Sequence, residues 1–161
     1  MKKEKNSWLE ISLDKCLVGL LLLITQISFA QNPCSSQTPI TCGINYNYNL
    51  PSGAGLWNPT TGPWGTPGTE QIFVYTPTVS GPYSVLVTNN NYYVDLFYKT
   101  GSCNQNGWTY VDDIFTSATN TLTLTAGVTY YFLVDDENTT SSSGIINISC
   151  PCIPQPGGID E

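Results

Sequence analysis

The sequence predicts an all-β fold, and three observations carry that reading. From Glu70 onward, short segments rich in β-branched and aromatic residues recur between turn-forming residues. After residue 30, no stretch repeats apolar side chains about every 3.6 residues, as a surface helix would. Gly, Pro and Asn punctuate the chain wherever strands would have to reverse. Short strands at such spacing belong to a sandwich or a barrel.

Residues 1–30 stand apart from this pattern. Lys2, Lys3, Lys5 and Lys15 make a weakly basic start, and "CLVGLLLLITQISFA" supplies an apolar run. The run ends in Ser28-Phe29-Ala30, a small-x-small cleavage signal before Gln31. It is shorter than the roughly 18 apolar residues that a membrane span needs. A cleaved secretory signal peptide is expected, with no membrane span left after cleavage.

Residues 31–69 form the loop-rich beginning of a single domain. Only "INYNYNL" alternates there, so one half-buried strand is expected over 44–50. The core strands occupy residues 70–150: "EQIFVYT" (70–76), "YSVLVT" (83–88), "YYVDLFYK" (92–99), "WTYVDDIF" (108–115), "TLTLT" (121–125), "VTYYFLVD" (128–135) and "GIINISC" (144–150). The Pro/Gly-rich tail 151–161 reads as the start of an interdomain linker, as in one piece of a larger extracellular protein.

Charge and missing residue types narrow the function. Residues 31–161 carry nine acids against the single base Lys99, a net charge of −8. Such a surface repels phosphate backbones, so nucleic acid is excluded as a partner. The chain has no His and no Arg. That removes Ser-His and Cys-His nucleophile pairs, imidazole metal ligands and guanidinium clamps. A carboxylate pair of the glycosidase kind and an all-oxygen calcium site remain open.

After the signal peptide the cysteines are Cys34, Cys42, Cys103, Cys150 and Cys152. Secretion puts them in an oxidising compartment. Two open the domain and two close it, so the expected bridges are Cys42–Cys150 and Cys34–Cys152, with Cys103 unpaired.

"GTEQIFVYTPTVSGPYSVLVT", "YYVDLFYKTGSC", "LTLTAGVTYYFLVDDE" and the closing "GIINISC" together resemble the bacterial pre-peptidase C-terminal domain. The likeness is strongest to the cysteine-bearing versions in secreted multidomain proteins. It covers roughly residues 38–150, and "VDLFY" and "LTAGVTYYFLVD" are its most specific motifs. The resemblance implies a single antiparallel sandwich of jelly-roll type without catalytic residues, a companion of secreted peptidases and adhesins.

Three groups of side chains are candidates for function. Asp135-Asp136-Glu137 ends a strand and, with Asp112 and Asp113, could surround a calcium ion, which takes six to eight oxygens. The plainer reading is a solvated turn. Asp95 lies among aromatic residues and is expected to be structural, an acceptor for backbone or Tyr groups, with Lys99 as its one available charge partner. A glycosidase pair of Asp95 with Glu70 or Asp113 has no sequence pattern behind it. The rings of Trp57, Tyr46, Tyr48 and Tyr110 could form a platform for sugars, whereas Trp64 and Trp108 are expected in the core. The expected function is a non-catalytic accessory or adhesion module, secreted or at a bacterial cell surface. Its partner would be an extracellular protein or polysaccharide, and its cofactor none or Ca²⁺. A carbohydrate-binding module and a structural spacer are the alternatives.

Overall fold

The computed structural model describes residues 32–59 and 61–151. The expected signal peptide, nearly all of the tail and Cys152 lie outside them. A short 3-10 turn at Pro33–Ser35 is followed by nine strands: β1 (Thr38–Pro39), β2 (Tyr46–Leu50), β3 (Glu70–Tyr75), β4 (Gly81–Asn89), β5 (Val94–Thr100), β6 (Thr109–Ile114), β7 (Ser117–Leu124), β8 (Tyr130–Asp136) and β9 (Ser142–Ile148). One sheet has the order β1-β3-β8-β5-β6 and the other β2-β9-β4-β7. All pairings are antiparallel except β1 with β3. The fold is an all-β sandwich.

Alternation explains the main core. Tyr83, Val85 and Val87 of β4 face Val94 and Leu96 of β5 and Phe132 and Val134 of β8 between the sheets. Each such side chain contributes about 1.5–3 kcal/mol when fully buried. Two strands depart from a half-buried pattern. In β5 and β8 the opposite face is buried as well, because a second cluster forms outside the first sheet. That cluster contains Trp57, Ile72, Phe97, Trp108 and Leu133.

A cover over the outer face produces this second core. The 51–69 loop lies across β3, β8 and β5, braced within itself by a bond from Gly55 N–H to the Pro67 carbonyl (3.0 Å) and tied to β8 by one from Gly68 N–H to the Asp136 carbonyl (2.9 Å). The β5–β6 loop joins it. Cys103 of that loop bonds to Cys34, fixing the N-terminal turn above the cluster. Cys42 bonds to Cys150, joining the segments that flank the paired strands β2 and β9.

Two sequence expectations do not hold. Cys34 pairs with Cys103 rather than Cys152, so Cys103 is not free. The β5–β6 loop folds back over the outer face and brings it to the N-terminal turn, a long-range contact that no spacing reveals. Trp64 is not in the core: it is 62% exposed on the cover loop.

Candidate metal centre

Register assembles a row of acids. Glu70 of β3 stands opposite Asp135 of β8, Asp135 opposite Asp95 of β5, and Asp95 opposite Asp113 of β6. Four neighbouring strands thus place four carboxyls side by side on the outer face, under the cover. Directly opposed residues have Cβ atoms about 4.5–5.5 Å apart, and like charges there repel. Each acid needs a separate solution.

Glu70 has one. Its carboxylate accepts from the backbone N–H of Leu56 (3.0 and 3.1 Å) and of Trp57 (3.1 Å), clamping the cover loop. Burial raises its pKa, and these bonds oppose the rise. Asp135 is half-satisfied: Thr66 Oγ1 donates to Oδ2 at 2.8 Å, while Oδ1 has no partner. Burial chiefly, with the charges of Glu70, Asp95 and Asp136, pushes Asp135 up to about 9 against the lowering Thr66 bond.

Asp95 has no such solution. It is fully buried, and neither carboxylate oxygen has a hydrogen-bond partner. Burial, then Glu137, Asp113 and Asp112, push its pKa up to about 8. Asp113 Oδ1 and Glu137 Oε1 are likewise buried without partners. Oxygens of Asp95, Asp113 and Glu137 all lie within 4.8 Å of one another. Burial and neighbouring acids raise the pKa values of Asp113 and Glu137 too.

Strand geometry decides which acids join. Glu137 N–H donates to the Tyr93 carbonyl at 3.2 Å, extending the β8–β5 ladder by one residue. Alternation then sends Asp135 and Glu137 to the outer face and Asp136 to the inner one. Asp136 accepts from Ser142 Oγ (2.7 Å) and Asn138 N–H (2.8 Å). The same alternation separates Asp113, opposite outward-facing Asp95, from Asp112, opposite inward-facing Leu96. Asp112 accepts from Asn120 Nδ2 at 2.8 Å and from Asp113 N–H at 3.0 Å. Of the five acids the sequence suggested, Asp113 and Glu137 meet, Asp135 stands beside them, and Asp112 and Asp136 serve as hydrogen-bond acceptors. Asp95, expected to be structural, is the centre of the group.

Lys99 does not pair with Asp95. It shares the outer face, but four residues along a strand amount to about 13 Å. Its ammonium donates to Asn104 Oδ1 (2.9 Å) and to the Asn106 carbonyl, and lies 5.3 Å from the centre of the Trp108 ring.

The donor set selects a hard cation. It offers carboxylate oxygens with no nitrogen or thiolate, which suits calcium or magnesium rather than zinc or copper. Oxygens no more than 4.8 Å apart fit around one ion at calcium's distance of about 2.4 Å. Gly62 lies directly above. A Cβ there would sit 3.0 Å from Asp95 Oδ2 and 3.3 Å from the Phe97 and Tyr110 rings.

The proposed sugar platform is not formed by the residues first suggested. Trp57 and Tyr48 are buried. Tyr46 and Tyr110 are half-buried on different sheets, on strands β2 and β6 at opposite sides of the sandwich. Tyr110 packs edge-on against Phe97, with ring centres 5.7 Å apart.

No known family profile matches the sequence, and no curated protein matches it. Solved structures do match. The pre-peptidase C-terminal domain of a collagenase from Bacillus anthracis superposes with a TM-score of 0.51 at 11% identity, covering 71% of this chain and 95% of that one. CorA, a surface-associated copper-binding protein of Methylomicrobium album BG8, gives 0.48 at 10% identity over 72% and 98% of the two chains. The Yersinia pseudotuberculosis-derived mitogen gives 0.40 at 13% identity over 71% and 90%. At such identities the likeness is one of fold. This chain has the β-sandwich fold of the pre-peptidase C-terminal domain.

Proposed function

We propose that this chain is a non-catalytic, secreted accessory module of the adhesion kind, whose cluster of Asp95, Asp113 and Glu137 holds a calcium ion. One observation carries the cation: a fully buried carboxyl, Asp95, with both oxygens unpartnered, faces two further acids. Leaving such a group ionised and unpaired is strongly unfavourable. A divalent cation compensates all three acids at once, and protons are the alternative.

The accessory role draws on several observations. Two disulfides suit an oxidising, extracellular setting. The leader-like residues 1–30 point the same way. Asp95 and Asp113 stand side by side on adjacent strands. Glycosidic hydrolysis instead needs two carboxyls flanking a substrate bond.

Isothermal titration of the chelator-treated chain with CaCl₂ tests the cation. One site per chain is expected, absent in Asp113→Asn and Glu137→Gln. Melting that is identical in calcium and in EDTA, with no heat of binding, would refute it.

A further inference from the structure

The three loops at one end of the sandwich carry features that the cation does not use. The β4–β5 turn, the β6–β7 turn and the β8–β9 loop meet there. Tyr92, Tyr93 and Phe115 expose 51%, 42% and 55% of their surface. Phe115 is the centre of the group, with its ring 5.0 Å from that of Tyr93. It also lines a shallow depression with Tyr92, Asn90, Asn91 and Thr116.

The turn presenting these rings is held in an unfavourable backbone conformation. Tyr92 has φ 49°, and it is the one non-glycine residue with positive φ among the described residues. Gly or Asn occupies such a position at less cost than an aromatic residue. Asn89 secures it: the side chain is buried and Nδ2 donates to the carbonyls of Asn91 and Tyr92, both at 2.8 Å. Asn90 and Asn91 bond across to Ser143 Oγ (2.8 Å) and the Ser141 carbonyl (2.9 Å). The backbone is pinned on both sides while the rings stay out. Among the described residues, neither the Tyr92 nor the Tyr93 hydroxyl has a hydrogen-bond partner, and Asn91 Oδ1 is also free.

We infer that this notch binds a neutral polysaccharide, with a sugar ring stacked on Phe115 and Tyr92 and its hydroxyls bonded to Asn91 and Thr116. The chemistry is complementary. A pyranose offers an apolar C–H face and a rim of hydroxyls. The notch offers aromatic faces beside amide and hydroxyl groups that both donate and accept. The residues lining the depression are uncharged in a chain of net charge −7, which favours a neutral glycan over an anionic one or a basic protein surface. The inference is independent of the cation proposed above.

Affinity electrophoresis of the purified chain, in calcium throughout, through gels holding hydroxyethyl cellulose, laminarin, galactomannan, xylan or alginate tests it. Retardation by at least one neutral polymer and none by alginate is expected. Phe115→Ala should weaken that retardation by roughly tenfold, about one lost ring contact. Tyr92→Gly should weaken it comparably while the melting temperature holds or rises, since Gly relieves the backbone. Trp64→Ala, on the cover loop, should change nothing. No retardation by any neutral polymer, equal retardation by alginate, or binding that survives both notch variants would overturn the inference. So would loss of binding in Trp64→Ala. Calcium titration reads the metal centre separately, so either proposal can fail alone.

Discussion

Asp95 holds the most exacting position in the molecule. It is an acid with no exposed surface, no hydrogen-bond partner and acids on both sides. Near neutrality the metal-free chain keeps much of Asp95 and Asp135 protonated, since their pKa values stand at about 8 and about 9. Asp95→Asn keeps the shape and removes the charge. Without calcium at pH 8 it should stabilise the chain by at least about 1 kcal/mol, because the unfolded chain ionises Asp95 freely while burial and neighbouring acids resist that charge in the folded one. It should also abolish the rise in melting temperature with calcium. A variant that melts lower than the parent in EDTA and still responds to calcium would contradict this. Gly62→Ala probes the cover over the same residue. Its methyl would press on Asp95 and two rings and should cost about 1–3 kcal/mol, as overpacking does. An unshifted urea midpoint would show that the loop yields freely.

At the scale of elements, β8 organises the site because it lies between β3 and β5 and carries both Asp135 and, one step beyond its end, Glu137. The cover is a second layer, and each disulfide serves a different part. Cys34–Cys103 pins the cover's edges over the outer cluster, whereas Cys42–Cys150 ties together the segments flanking β2 and β9. The two bridges span sequence separations of 69 and 108 residues. Replacing either pair with serine should cost about 4–5 kcal/mol in the chain-entropy model. Only the Cys34/Cys103 double variant should also weaken calcium binding, because only it loosens the layer above Asp95. Equal calcium affinity in both variants, measured by titration well below their melting temperatures, would separate the cover from the site.

At the scale of the whole molecule, the strand charges of the described residues are confined to one sheet. Every charged residue on a strand lies in β3, β5, β6 or β8, and β2, β4, β7 and β9 carry none. The pH dependence of stability therefore has one dominant source. A carboxyl whose pKa is higher in the folded state than in the unfolded chain keeps a proton that the unfolded chain has released. Metal-free stability should accordingly fall as pH rises from about 4, the unfolded value, to about 9, where Asp95 and Asp135 have both ionised. Calcium should flatten the curve by replacing the proton on Asp95, with about 2.7 kcal/mol of stabilisation at a hundred times its Kd. Binding at pH 7 should release protons, so titration heats should differ between buffers of different ionisation enthalpy. A metal-free melting temperature that rises between pH 5 and 9, or buffer-independent heats, would refute the linkage.

Much of this was legible in the residues alone. Eight of the nine strands lie within or across segments that alternate or run apolar, because a pleated strand imposes a two-residue period whatever its neighbours do. β1 was not, being two residues long and defined only by its partner. The surplus of acids and the absence of His and Arg could be counted directly. Alternation could also have separated Asp135 and Glu137 from Asp136. What only the tertiary structure decided was which acids meet. That depends on strand order and on register, both products of long-range pairing that the local period does not encode. The same is true of the outer cover. It buries Asp95 on a face that would otherwise be open to water, and it brings Cys103 to Cys34. A carboxyl becomes a candidate ligand here because of what lies above and beside it, and both were set by parts of the chain far away in sequence.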